Sequence, residues 1–66
     1  MEKQAKIAVD LAMLIYRTFE APDEHDHEDM LKAVATHDIA KLEEMARAGC
    51  TIEADLLEEE IKEIKG

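Results

Sequence analysis

Six carboxylates and two histidines fall within ten consecutive residues, 20–29, with no base among them. They are Glu20, Asp23, Glu24, His25, Asp26, His27, Glu28 and Asp29. Three kinds of chemistry use such a segment. The first is a helix N-terminus, where the partial positive charge of the backbone offsets part of the repulsion between close acids. The second is a patch for a basic partner, formed by Glu20, Asp23, Glu24, Asp26, Glu28 and Asp29. The third is a metal site. His25 and His27 make a His-x-His pair, and on a helix His25 shares a face with Glu28 and Asp29. Imidazole with carboxylate suits zinc, nickel or manganese. A tetrahedral site also needs defined ligands on a fixed framework, and the sequence offers no second ligand cluster. His37 and Cys50 stand too far along the chain to be assigned. The expectation is a solvated acidic helix start, with His25, His27 and Asp29 the only metal candidates and no cofactor favoured.

Two other residues invite a chemical reading. Asp10 is the one charge inside an apolar run, with Lys6 four residues before it and Arg17 beyond it. Its expected place is the solvent edge of a helix. Cys50 precedes a helix cap, where the dipole can lower a thiol pKa. No Lys or His stands beside it, so it reads as a small buried residue. The sequence has no glycine-rich phosphate loop, no nucleophile elbow and no His-Glu-x-x-His. No catalytic residue is assigned, and the chain is expected not to be an enzyme.

Composition narrows the partners. Seventeen acids stand against eight bases, a net charge of −9. Phosphate contacts need Lys and Arg, so nucleic acid and anionic membrane are not expected as partners. A basic protein surface stays open. The apolar run at residues 7–16 is interrupted by Asp10 and closed by Arg17. It is about half the length needed to cross a bilayer, and no cleavage signal follows it. One cysteine among 66 residues allows no internal disulfide. A lone thiol fits a reducing, cytoplasmic setting.

These residues must be positioned by helices. Ala, Leu, Glu, Lys and Met dominate, Pro22 is the only proline, and no alternating run predicts a strand. The fold class expected is all-α, a small bundle of three to four helices at about 2–20, 23–36, 38–48 and 52–65, in one domain over 1–66. Ala21-Pro22 is a break, and the second helix starts at Pro22 or after Asp26 as cap. Its inner side is Met30, Ala33, Val34 and either His37 or Leu31. Thr36-His37-Asp38 is a tight corner, with Asp38 or Thr36 capping the third helix. That helix packs through Ile39, Leu42, Met45 and Ala46, and Gly49 ends it in the left-handed conformation. Thr51 caps the fourth helix, whose apolar positions are Ile52, Leu56, Leu57, Ile61 and Ile64.

Residues 30–53 resemble a single ankyrin repeat. Ala33-Val34 stands where that family has paired alanines, Leu42 and Met45-Ala46 where its second helix is apolar, and Ala48-Gly49-Cys50 where it has a small-Gly-small step. The Thr-Pro-Leu-His opening is missing, and one repeat cannot bury its own face without neighbours. What the resemblance implies here is two short antiparallel helices joined by a tight corner.

The first helix carries the functional expectation. Ile7, Leu11, Leu14 and Thr18 form one stripe, and Ala8, Ala12, Ile15 and Phe19 form another. Val9, Met13 and Tyr16 cover much of what remains. A helix apolar nearly all round needs cover nearly all round, and 46 further residues supply one side. A second copy supplies the other, since two-fold dimers are the commonest oligomers. Self-association is expected through Ile7, Leu11, Leu14, Ile15 and Phe19, together with a Leu57, Ile61, Ile64 seam. The chain therefore reads as an acidic interaction or regulatory protein, a homodimer that acts by protein–protein binding. An inhibitor or antitoxin-like binder of a basic partner is the sharper form. The alternatives are a metal-binding helical protein and a structural subunit of a larger assembly.

Overall fold

The computed structural model describes residues 3–19, 23–49 and 51–66. Four helices account for most of them: α1 (Lys3–Thr18), α2 (Glu24–Ala35), α3 (Ile39–Gly49) and α4 (Ala54–Lys65). Among the described residues there is no strand, and no helix is long and apolar enough to cross a membrane. The all-α bundle expected from composition is the fold.

Helices α1 and α3 form the central pair. Helix α2 packs against both on one side and α4 against both on the other, while α2 and α4 do not meet. The result is two helical triangles sharing an edge, 31 × 27 × 16 Å in extent. Its radius of gyration, 10.9 Å, matches the ~11 Å of a folded chain this long. One apolar cluster draws on all four helices: Ala8, Leu11, Leu14 and Ile15 from α1, Met30 and Ala33 from α2, Leu42, Met45 and Ala46 from α3, and Leu57 and Ile61 from α4. Leu11, Leu14 and Leu42 are the largest side chains wholly withdrawn from water. Burying a leucine fully is worth about 1.5–3 kcal/mol, so these three dominate the core.

The helix boundaries have local causes. Asp23 is the N-cap of α2. Its carboxylate accepts from the Asp26 N–H at 2.8 Å, and the Asp26 carboxylate accepts from the Asp23 N–H at 3.2 Å. This reciprocal pair satisfies two backbone donors that a helix start leaves open. Asp26 is therefore the third residue of the helix and not its cap. Helix α2 ends in a left-handed residue, His37, at φ 56°. The Asp38 N–H reaches the Ala33 carbonyl at 2.8 Å and the His37 N–H reaches the Val34 carbonyl at 3.2 Å, the double closure of a Schellman end. Asp38 then caps α3 by accepting from the Lys41 N–H at 3.1 Å.

Three expectations are corrected here. Gly49 is not a left-handed terminator; it is the last residue of α3, and the only glycine with positive φ is Gly66 among the described residues. Glycine is needed because the Phe19 ring lies on it, where a Cβ would overlap the ring edge. Thr51 does not cap α4. Its N–H and hydroxyl both donate to the Thr18 carbonyl, at 3.0 and 3.1 Å. That tethers the end of α1, and α4 begins at Ala54 behind Glu53, which makes no side-chain cap. His37 and Leu31, either of which was expected on the inner side of α2, are both exposed. Glu2, Glu20, the Ala21-Pro22 break and Cys50 lie outside the described residues.

The triangle of α1, α3 and α4 is laced by ions between α3 and α4. Arg47 on α3 makes a two-pronged pair with Glu58 on α4, at 2.6 and 2.8 Å, and meets Glu43 at 3.2 Å. Lys65 closes on Glu43 at 2.9 Å. The hydrogen bonds that Arg47 donates hold the Glu58 carboxyl below its ordinary value, and the same bonds, accepted by Glu58, hold the guanidinium proton more tightly. Both groups are solvent-exposed, so the network orients α4 and the apolar contacts of Leu57 and Ile61 secure it.

Candidate functional site

Helix α1 turns through about 100° per residue, and its covered arc holds Ala8, Leu11, Leu14 and Ile15. Opposite lies a second apolar stripe, Val9, Met13 and Tyr16, at i, i+4, i+7. These residues are 45, 58 and 73% exposed. Leu31 on α2 is 57% exposed. Together they wall an open groove of about 440 Å³ between α1 and α2, floored by Ala12, Met30 and Val34. At its end the Tyr16 and His27 rings meet edge to face, with centroids 6.4 Å apart and planes at 64°. Arg17 stands on the rim. The four exposed side chains offer on the order of 400 Å² of apolar surface, the scale of patch that commonly marks a contact site on a small protein.

A smaller crevice of about 20 Å³ opens beneath, between Tyr16, Phe19, His27 and Met45. It is close to one water in size and is a packing gap between the ends of α1 and α2.

The eight residues expected to mediate self-association are placed elsewhere. Leu11, Leu14, Ile15, Leu57 and Ile61 are buried within the single chain, and Ile7, Phe19 and Ile64 pack partly buried against them. The seam on α4 faces α1 and α3 of its own chain. The physical reason is that two helices, α3 and α4, cover the side of α1 on which these stripes lie. The uncovered stripe is the one formed by Val9, Met13 and Tyr16. Its i, i+4, i+7 spacing is visible in the sequence. Leu31 carried no such signal, because whether it faces inward beside Val34 depends on how α2 rolls against α1.

The acidic segment divides by role. Asp23 and Asp26 form the capping box, and the hydrogen bond from the Asp26 N–H holds the Asp23 carboxyl below its ordinary value. Glu24 and Glu28 point to solvent. Asp29 lies 3.6 Å from His25 Nε2. Glu20 is outside the described residues. Of the metal candidates, His25 and Asp29 share a face, while His27 turns to Tyr16 on the groove. No group of three His, Cys, Asp or Glu side chains converges among the described residues. Asp10 pairs with Lys6 at 3.0 Å on the solvent edge of α1.

Charge is distributed unevenly over the helices. Helix α1 carries Lys3, Lys6 and Arg17 against Asp10, a net of +2. Helix α2 carries Glu24, Asp26, Glu28 and Asp29 against Lys32, a net of −3 with histidines neutral. The groove thus lies between a helix of net positive and a helix of net negative charge, and Arg17 is the one charged side chain in its lining. Comparison with protein families, with curated protein sequences and with solved structures gives no match to this chain.

Proposed function

We propose that the protein is a small acidic interaction protein that works by binding another polypeptide, and that the α1/α2 groove is the surface it binds with. The observation that carries this reading is the exposed stripe of Val9, Met13 and Tyr16 facing Leu31 across an apolar floor. Aliphatic and aromatic side chains at this exposure are unfavourable in water, and covering them with a partner lowers the free energy. Tyr and Met are also types enriched where proteins meet. Two helices flanking an apolar trough receive a third amphipathic helix through anchors at i, i+3, i+4 and i+7. The lining is apolar apart from Tyr16, Arg17 and His27, which favours binding over bond-making chemistry. The single cysteine of the sequence fits work in a reducing, cytoplasmic setting. A regulatory or adaptor role follows from a chain whose main asset is one contact surface.

The test uses a synthetic amphipathic helix with Leu at i, i+3, i+4 and i+7 and Lys elsewhere, titrated into isotopically labelled protein. Amide shift changes should gather on Val9, Met13, Tyr16, His27 and Leu31, and Leu31→Lys should abolish them while the helical circular dichroism is kept. Changes centred on α3 and α4, or none at millimolar peptide, would overturn the reading.

A further inference from the structure

Resting on the groove as the binding surface, we infer that its occupant is the α1 helix of a second copy of this chain, set antiparallel across a two-fold axis near Ala12 and Met13. The patch contains both halves of such a contact. The Val9, Met13, Tyr16 stripe is a ridge of knobs on α1, and the trough beside it is floored by Ala12, Met30 and Val34. A two-fold contact requires that one patch be complementary to itself, and a ridge alongside its own groove meets that condition. An axis between Ala12 and Met13 sets Val9 of one copy opposite Tyr16 of the other, a small side chain facing a large one. Ala12 at the axis lets the two backbones approach.

Charge selects the occupant and its direction. Helix α1 is the basic helix, at +2, and α2, which contributes apolar residues and His27 to the groove, is net acidic, at −3. Antiparallel pairing carries Lys3 and Lys6 of one copy past the end of the other copy's α1, toward its Asp23 and Glu24. Parallel pairing would instead stack the lysines on lysines and the α2 acids on α2 acids. Arg17, which has no ion-pair partner among the described residues, stands on the same rim. The net charge of −9 does not oppose this strongly. Helix α4, with Asp55, Glu58, Glu59, Glu60 and Glu63 against Lys62 and Lys65, carries −3 of it; its Glu60 borders Met13 beside the basic Arg17, and exposed charges are screened beyond about 8 Å at physiological salt. A standard footprint of about 800 Å² per partner is about a sixth of the 4674 Å² this chain exposes. The exposed apolar stripe supplies its centre and the charged rim the rest.

The experiment is sedimentation equilibrium with the full chain from micromolar to millimolar concentration. The wild type should approach twice 7.5 kDa. Met13→Glu should raise the dissociation constant by about tenfold or more and leave the folded helical spectrum at high dilution unchanged. Leu56→Glu removes an apolar side chain of similar exposure, 53%, outside the groove, and should leave the dissociation constant unchanged. Lys6→Glu and Glu24→Lys chains should each pair poorly alone and better when mixed, which reads the antiparallel direction. A 7.5 kDa species at millimolar concentration overturns the inference, as does a Leu56→Glu effect equal to that of Met13→Glu. If that monomer still takes the Leu/Lys peptide in the groove, the self-pairing fails and the binding function stands; if it takes neither, both fall.

Discussion

Replacing Gly49 with alanine should destabilise the protein, although alanine is the better helix former. Gly49 is the last residue of α3 and lies under the ring of Phe19, so an added Cβ would overlap the ring edge. In the absence of Phe19 the substitution would gain up to about 1 kcal/mol of helix propensity, and less at a helix end. With Phe19 present, the ring must swing away. A half-buried phenylalanine loses about half of the 1.5–3 kcal/mol its burial supplies, and an off-rotamer adjustment adds about 0.5–1.5 kcal/mol. The net is a loss of about 1 kcal/mol. Unfolding entropy for 66 residues is about 0.14 kcal/mol/K, which converts that loss to a melting temperature about 7 °C lower. The assay is thermal unfolding by circular dichroism at fixed protein concentration, since any dimer makes the melting point depend on concentration. The decisive comparison is the same change made in a Phe19→Ala background, where Gly49→Ala should raise the melting temperature. A sign reversal of this kind is a direct coupling between two contacting residues. If Gly49→Ala stabilises the wild type, the ring does not rest on the glycine and the account of how α1 and α3 are pinned is wrong.

His37 holds a left-handed conformation at φ 56°, which costs a side-chain-bearing residue about 1–2 kcal/mol; His37→Gly should therefore raise the melting temperature by several degrees, and a fall would show that the imidazole makes a contact worth more than the strain. Asp23 has a lowered pKa through its bond from the Asp26 N–H. Its contribution is full above the ordinary value of 3.8 and is lost as pH falls through the lower folded value. Asp23→Asn keeps a cap acceptor but cannot titrate, so it should flatten the acid limb of a stability–pH curve below about pH 4; an unchanged limb would remove the capping box from the account. Leu14→Ala should cost about 2–5 kcal/mol, whereas its neighbour Met13→Ala should change the stability of the monomer by less than about 0.5 kcal/mol. Urea titration at low micromolar concentration distinguishes them, and equal losses would contradict the burial pattern of α1.

The sequence made the helices legible because their signals are local. Asp38 before Ile39, and Leu42 with Met45 and Ala46, announce a cap or a face within a few residues. Asp26 was misread locally, since the capping box places the cap at Asp23, and so was His37, which closes its own helix; the other misreadings involve contacts between distant segments. Gly49 looked like a terminator because its demand comes from Phe19, thirty residues earlier. Thr51 looked like a cap because its true acceptor, the Thr18 carbonyl, is on another helix. The largest misreading concerned which stripe of α1 faces outward. Three apolar stripes are present, and periodicity shows them equally. Only the arrangement of α2, α3 and α4 around α1 decides that Leu11, Leu14 and Ile15 are spent inside while Val9, Met13 and Tyr16 are left out.

That arrangement also explains why the excess apolar surface is concentrated at one place. In two triangles sharing the α1/α3 edge, every helix keeps an uncovered side. On α4 that side is mainly charged, with Glu59, Glu60 and Glu63 exposed, and on α3 it carries Glu44 and Arg47. On α1 it carries Val9, Met13 and Tyr16, and the adjoining edge of α2 carries Leu31. A chain able to place charge on the open sides of α3 and α4 has instead kept apolar side chains on two neighbouring helices, aligned along one trough. Scattered single hydrophobics on a surface need no explanation, but four that converge on a common apolar groove do. The cost of exposing them is recovered when a complementary ridge enters, and the second copy proposed above offers one in its own Val9, Met13 and Tyr16.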